Sequence, residues 1–285
     1  MGHAPAPQPM FDVDVLLDTA VASVRDVRCR GECRHRSAEE CAARTHLVFP
    51  YRGVYLRHVG DVQAVADANH VLLFNAGEGY RVSHPVGGGD ASVSLELAEP
   101  LLHELLPATL ARHAGDVRLR PQALRIDARA QALAALLRHA LRHGRIETLE
   151  AEGLALTLAA RSLGPRTTRT PGATRARQRL VDRAKLLLAA DPARRWTLAG
   201  IAAEVGGSAV YLTQAFKQVE GMPLYRYQLR LRLARALELL ERDVGLSSLA
   251  QDLGFSSHSH FAAAFRQAYG RSPSAFRDAL TRSDR

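Results

Sequence analysis

Residues 254–277, GFSSHSHFAAAFRQAYGRSPSAFR, constrain the fold more than any other part of this 285-residue chain, because an altered copy stands upstream at residues 206–227, GGSAVYLTQAFKQVEGMPLYRY. From Leu212 onward the two align at a constant offset of 49, which matches Leu212 to Phe261, Phe216 to Phe265, Lys217 to Arg266 and Gly221 to Gly270. Upstream the offset is 48, so the second copy carries one extra residue in its turn. Each copy predicts helix, tight turn, helix. The first helices, residues 198–205 and 247–253, space apolar side chains at i, i+3 and i+4, and Gly206 or Gly254 gives the turn its backbone freedom. Ser208 and Ser256 follow the turns as expected N-caps. The second helices keep a narrow apolar stripe (Leu212, Ala215, Phe216, Val219; Phe261, Ala264, Phe265, Ala268) and leave a polar N-terminal face. A polar helix start held on a compact helical pair is the geometry that enters a DNA major groove, although a helical repeat serving a protein interface has the same periodicity.

Charge separates the two. Residues 166–285 hold 20 Lys and Arg against 10 Asp and Glu, whereas residues 1–165 hold 18 against 19. The whole-chain balance of +9 therefore comes from the C-terminal part. Positive potential concentrated on one domain favours a polyanion through phosphate contacts that release counterions.

With these residues in view, the run over 254–277 resembles the signature of the AraC/XylS family of bacterial transcription regulators. The likeness lies in its Gly-Phe turn, its Phe-x3-Phe-Arg helix and its Gly-x-Ser-Pro-x2-Phe-Arg exit. The resemblance implies an all-α DNA-binding domain over residues 178–285, with two helix-turn-helix units joined by a long helix. Residues 224–242 fit that joining helix, about 19 residues and about 28 Å long. It has Leu229, Leu233, Ala236, Leu237 and Leu240 on one side, and Arg226, Arg230, Arg232 and Arg235 largely elsewhere, some within reach of phosphates. Carried over residue by residue, the base-reading candidates are Val210, Thr213 and Gln214 in the first unit and His258, Ser259 and Ala263 in the second. Ser208, Lys217, Ser257, His260 and Arg266 fall on the phosphate side. Family members often hold arginine where this chain has Gln214 and Ala263. Glutamine suits adenine, and alanine reaches at most a thymine methyl, so the first unit is expected to contribute more direct readout. Pro223 also comes one place earlier than Pro273 does in its copy, which predicts a shifted helix start.

The remainder predicts an α+β chain with three segments: a sensing and dimerisation domain over 1–163, a basic flexible linker over 164–177 (Gly, Pro, Thr and Arg without apolar periodicity), and the helical domain. Residues 45–55, 56–65 and 70–75 are short β-branched and aromatic runs punctuated by Gly53, Gly60, Asp67, Asn69 and Gly77. Residues 70–90, HVLLFNAGEGYRVSHPVGGGD, resemble the strand-turn-strand of cupin-like sensor domains, which implies a β-barrel with flanking helices and a small-molecule effector at its mouth. Asp127 is placed to cap one helix, and residues 146–163 form another. By resemblance these helices pack on the barrel and form a homodimer seam, while their Leu and Ala surplus also fits ordinary core packing. The partners so implied are double-stranded DNA, RNA polymerase, an effector and a second copy of the chain. No cofactor or catalytic residue is expected. No apolar run is long enough for a membrane span and residues 1–10 lack a secretory core, which predicts a cytoplasmic protein.

Two alternatives belong to other classes. A metal-dependent cupin enzyme recruited to DNA would need His-x-His followed by Glu and a further His; the barrel region has His46, His58, His70 and His84, dispersed, with Glu78 nearby, and no His-x-His among them. A cysteine-based redox or alkylation sensor would use Cys29, Cys33 and Cys41, which fall within thirteen residues among Arg28, Arg30, Arg34 and Arg36, with His35 and His46 close by.

Overall fold

The structure is a computed structural model that describes residues 11–31, 33–113, 116–164, 174–242 and 244–281. The N-terminal part is built of strands β1 (Phe11–Asp18), β2 (Ala22–Cys29), β3 (Glu40–Cys41), β4 (His46–Arg52), β5 (Tyr55–Val59), β6 (Val62–Ala66), β7 (His70–Phe74), β8 (Gly79–Ser83) and β9 (Asp90–Leu97). Helix α1 (Glu99–Leu105), strands β10 (Ala111–His113), β11 (Asp116–Leu119) and β12 (Ala123–Arg125), and helices α2 (Ala128–Arg142) and α3 (Thr148–Leu163) follow. Strands β10 and β11 pair by themselves, and the two larger sheets have the orders β1-β2-β9-β4-β7-β12 and β3-β8-β5-β6. Among the described residues no ladder joins the two, so the expected barrel is an open pair of sheets. The chain changes sheets between β4 and β5 at Gly53 (φ +74°), where a Cβ would stand 2.1 Å from the Gly89 carbonyl oxygen. Only glycine tolerates both that conformation and that approach.

Alternation along the strands decides what each sheet face covers. Leu47, Phe49, Val71, Leu73, Val93 and Leu95 face a core completed by Leu102, Ala130, Leu137, Ala155 and Leu158 of the three helices. Their neighbours Val48, Leu72 and Phe74 face Tyr55 and Ala66 of the smaller sheet. With both faces covered, all five residues of β7 are buried, and the strand reads as an apolar run rather than an alternation.

The C-terminal part is helical: α4 (Arg175–Ala190), α5 (Leu198–Glu204), α6 (Ala209–Glu220), α7 (Leu224–Leu239), α8 (Leu246–Asp252), α9 (His258–Tyr269) and α10 (Pro273–Thr281). Helix α4 starts inside the stretch read as linker, capped by the Thr174 hydroxyl; residues 165–173 of that stretch lie outside the described residues. The joining helix α7 has 16 residues, not 19, and Leu240 to Arg242 turn away. Its first half (Leu224, Tyr227, Leu231) enters one core with α4, α5 and α6, and its second half (Leu233, Ala236, Leu237) enters another with α8, α9 and α10. The early proline does not move a helix start. Leu224 and Pro273, which align at the offset of 49, are both the first residues of their helices, and Pro223 occupies the N-cap instead. No helix among the described residues is long and apolar enough to cross a membrane.

The two parts are docked through a buried cluster of charged groups. Asp67 Oδ1 accepts from His70 Nδ1 (2.8 Å) and from the Asn69 amide (3.0 Å), and its other oxygen accepts from the Tyr227 hydroxyl of α7. His70 Nε2 stands 3.4 Å from Glu220 Oε2 on α6 and 3.3 Å from Lys185 Nζ on α4, which lies 3.0 Å from Glu220 Oε1. Burial alone would push both carboxylates up and both cations down. Their mutual pairing outweighs it, so Asp67 and Glu220 are held below the usual carboxylate range while His70 and Lys185 are raised. Helix α2 completes the docking. Ala130, Ala134 and Leu137 enter the N-terminal core, while Ala132, Ala135 and Leu136 pack on the core of α8, α9 and α10. The surface expected to serve a dimer seam is thus covered, along α2, by the same chain.

Candidate nucleic-acid interface

The duplicated motif folds into two helical pairs whose second members present equivalent faces. In α6, Leu212, Ala215, Phe216 and Val219 are buried, which leaves Val210, Thr213, Gln214 and Lys217 exposed on one side. In α9, Phe261, Ala264 and Phe265 are buried, and His258, Ser259, His260, Ala263 and Arg266 are exposed. Both helices end at a left-handed glycine, Gly221 (φ +64°) and Gly270 (φ +76°). The offset pairs Val210 with Ser259, Gln214 with Ala263 and Lys217 with Arg266, so the contrast legible in the sequence lies on the exposed face.

The caps need one correction. The Ser208 hydroxyl accepts from the Tyr211 amide (3.2 Å), as expected, but in the second pair the cap is Ser257, which accepts from the His260 amide (3.1 Å). The extra turn residue displaces Ser256, whose hydroxyl meets His260 Nδ1 instead (3.0 Å). Ser257→Ala is therefore expected to cost about 1 kcal/mol and Ser256→Ala a few tenths, measured as shifts in the denaturation midpoint. Equal losses would refute the assignment. The Thr213 hydroxyl donates back to the Ala209 carbonyl (2.9 Å), so its methyl group is the part left free to face outward.

The arginines of α7 are mostly engaged elsewhere. Arg230 donates to the Ile126 carbonyl, Arg232 to the carbonyls of Pro192 (2.7 Å) and Gly254 (3.0 Å), and Arg235 pairs with Glu238. Of the four, some expected within reach of phosphates, Arg226 is the exposed one. Sequence reasoning passed over Tyr211, 39% exposed on the edge of α6, with the Arg177 guanidinium 5.7 Å from its ring centroid. An aromatic next to a cap in a helix start was the available signal.

His46, His58, His70 and His84 have separate partners. His46 stacks on Phe74, His58 bonds Ser83 (2.9 Å), His70 belongs to the docking cluster and His84 bonds Asp90 (2.7 Å). Glu78 accepts from Arg57, a fully buried guanidinium stacked 3.9 Å from the Phe74 ring centroid. No disulfide joins the cysteines: Cys41 is exposed on β3, and Cys29 and Cys33 are half-buried.

The helix-turn-helix domain family matches residues 201–279, which takes in the second helical pair and all of the first except the opening residues of α5. The C-terminal part is an AraC-type helix-turn-helix domain. Among curated proteins, the chain with this AraC-type domain is 33% identical over 108 residues to the HTH-type transcriptional activator RhaR of Klebsiella pneumoniae, a match covering 38% of each chain. It is 29% identical over 198 residues to a putative AraC-like transcription regulator of Streptomyces antibioticus, covering 67% of this chain and 62% of that one. The chain therefore spans less than two thirds of the length of these relatives. Among solved structures, ToxT from Vibrio cholerae overlays 93% of the chain and 99% of its own length at 12% identity and a TM-score of 0.37.

Proposed function

We propose that this chain is a sequence-specific DNA-binding transcription regulator that presents α6 and α9 to duplex DNA. The observation that carries the reading is the pair of equivalent exposed helix faces, capped at their starts and buried behind, on an AraC-type domain that supplies all of the chain's positive excess. In α6, Gln214 is assigned to a base edge, with Val210 and the Thr213 methyl as apolar neighbours and Lys217 on phosphate. In α9, Ala263 leaves little to read, so Ser257, His258, Ser259, His260 and Arg266 position the domain more than they specify sequence.

Gln214→Ala should then cost about 1–3 kcal/mol at one base pair of the preferred site and leave other positions unaffected. Lys217→Ala should weaken binding to all sequences and reduce the slope of log affinity against log salt by about 1. Titrating both variants against a site selected from random DNA, and against each single-base change in it, distinguishes the two roles; uniform losses for both would refute the assignments.

The N-terminal part is read as an open, cupin-like sensor. A cavity of about 290 Å³ between the loop before β4, the end of β9, α1 and β11, bounded by Arg44, Thr45, Glu96, Leu97, Leu102 and Arg118, is where a small polar effector is placed. Homodimerisation falls to α3 rather than α2, since α3 leaves Leu149 81% exposed and α2 is covered. Contact with RNA polymerase accompanies activation and depends on where the bound site lies.

A further inference from the structure

Cys29, His84 and Asp90 come together although His84 and Asp90 lie far from the cysteine cluster in sequence. The ladder between β2 and β9 sets Cys29 directly opposite Asp90, at its last register position. Residues directly opposite in an antiparallel pair hold their Cβ atoms about 4.5–5.5 Å apart, so the backbone itself fixes this juxtaposition. His84 follows β8, its amide donating 2.6 Å to the Cys33 carbonyl, and its ring enters the same space. One donor atom from each of the three side chains lies within 4.8 Å of the other two. His84 is 2% exposed and Asp90 7%. The second nitrogen of the imidazole, Nδ1, is buried and has no hydrogen-bond partner, while Nε2 and Asp90 Oδ2 are 2.7 Å apart.

The surrounding backbone forms a rigid cradle. A Cβ on Gly31 (φ +71°) would stand 2.6 Å from the Gly89 Cα, and one on Gly89 (φ +67°) 2.4 Å from the Cys29 carbonyl oxygen. The segments that carry Cys29 and Asp90 are thus in backbone contact that only glycine permits. The Gly31 amide points at Cys29 Sγ (3.4 Å), a donor suited to a thiolate, and the Tyr55 ring, 5.9 Å from that of His84, walls one side.

We propose that Cys29, His84 and Asp90 are the protein ligands of a zinc-class divalent cation. A thiolate and an imidazole select borderline-soft metals over calcium or magnesium, and a thiolate with a carboxylate balances the charge of a divalent ion. Cys33 and Cys41, which the sequence groups with Cys29, are not among the three converging donors. The ion would tie β2 and the loop after it to the Gly-rich turn before β9. This site is independent of the assignment of α6 and α9 to DNA.

The test uses the full chain. Purified without chelator, it should carry about one zinc per chain by elemental analysis, and the chelator-stripped chain should take one equivalent of Co²⁺ with a thiolate-to-cobalt charge-transfer band. Cys29→Ser and Asp90→Asn should lower zinc affinity by about 100-fold or more in competition with a chromophoric chelator, and Cys41→Ser should leave it unchanged. Wild-type chain that binds neither metal stoichiometrically, or binds cobalt without a thiolate band, overturns the proposal whether or not any variant folds. So does a thiolate band lost in Cys41→Ser and kept in Cys29→Ser.

Discussion

Lys185→Met will destabilise the folded chain by about 3–5 kcal/mol, although methionine fills nearly the same volume. Lys185 is 4% exposed and lies 3.0 Å from Glu220, itself 6% exposed; without it, two buried carboxylates, Glu220 and Asp67, face His70 alone. Glu220→Gln should cost a similar amount for the opposite reason, since it leaves Lys185 and His70 with Asp67 and, beside Lys185, Asp182 as their remaining carboxylates. Combined, the two substitutions remove one charge of each sign, and the double variant should be more stable than the summed losses predict. A double-mutant cycle read from denaturant unfolding gives the coupling, and strict additivity would mean that the pair is not mutually compensating. The pH dependence follows from the directions of the shifts. Glu220, depressed below its ordinary 4.5, contributes fully above pH 4.5 and loses its contribution as pH falls. His70, raised above its ordinary 6.5, contributes fully below pH 6.5 and loses its contribution as pH rises through the higher folded value. The cluster therefore docks the two parts most firmly between those values, and Glu220→Gln should flatten the acid limb of the stability curve. Because Glu220 is the last residue of α6, the cluster also joins a candidate reading helix to the N-terminal part.

What could be read from the sequence was local. The helical pairs, the exposed side of α6 and α9, and the Asp127 cap all follow from spacing within one or two turns, and the structure places them as the spacing predicts. What could not be read depended on what lies across the fold. In β1, Phe11, Val13 and Val15 alternate with Asp12 and Asp14, yet all three apolar side chains are exposed, so alternation there does not mark a core face. Helix α2 carries apolar residues nearly all round because it serves two cores, and a single periodicity cannot say that the second belongs to the same chain. Arg230 and Arg232 look like phosphate ligands by composition, yet they meet carbonyls contributed by loops distant in sequence. Sequence proximity groups Cys29 with Cys33 and Cys41, whereas strand register sets it opposite Asp90.

The two turn glycines give the second large expectation, and they separate the copies that the alignment makes equivalent. Gly206 (φ +68°) has nothing within 4 Å of an added Cβ, so Gly206→Ala should cost only the left-handed conformation, about 1–2 kcal/mol. Gly254 (φ +78°) would place its Cβ 2.0 Å from the Ala193 carbonyl oxygen and 2.9 Å from the carbonyl carbon. Backbone cannot step aside as a side chain can, so Gly254→Ala should add an overpacking cost and lose about 2–5 kcal/mol in all. Urea midpoints of the two variants test this directly, and equal losses would mean that the loop after α4 yields. That loop is well held: Gln228 donates to the carbonyls of Pro192 (3.1 Å) and Arg194 (2.7 Å), and Arg232 joins Pro192 and Arg194 to Gly254. The second turn is thus stapled to the first helical pair through α7, with Gly254 against that staple, whereas in the first turn Arg183 holds the Val205 carbonyl (2.7 Å) and Gly206 itself faces open space. A rigid staple at that point fixes the spacing between α6 and α9, which a reader of successive grooves needs and a single groove does not. At concentrations where both variants remain folded, Gly254→Ala should therefore lose more affinity than Gly206→Ala for a DNA site spanning both helices, and the gap should close on a fragment that engages only one.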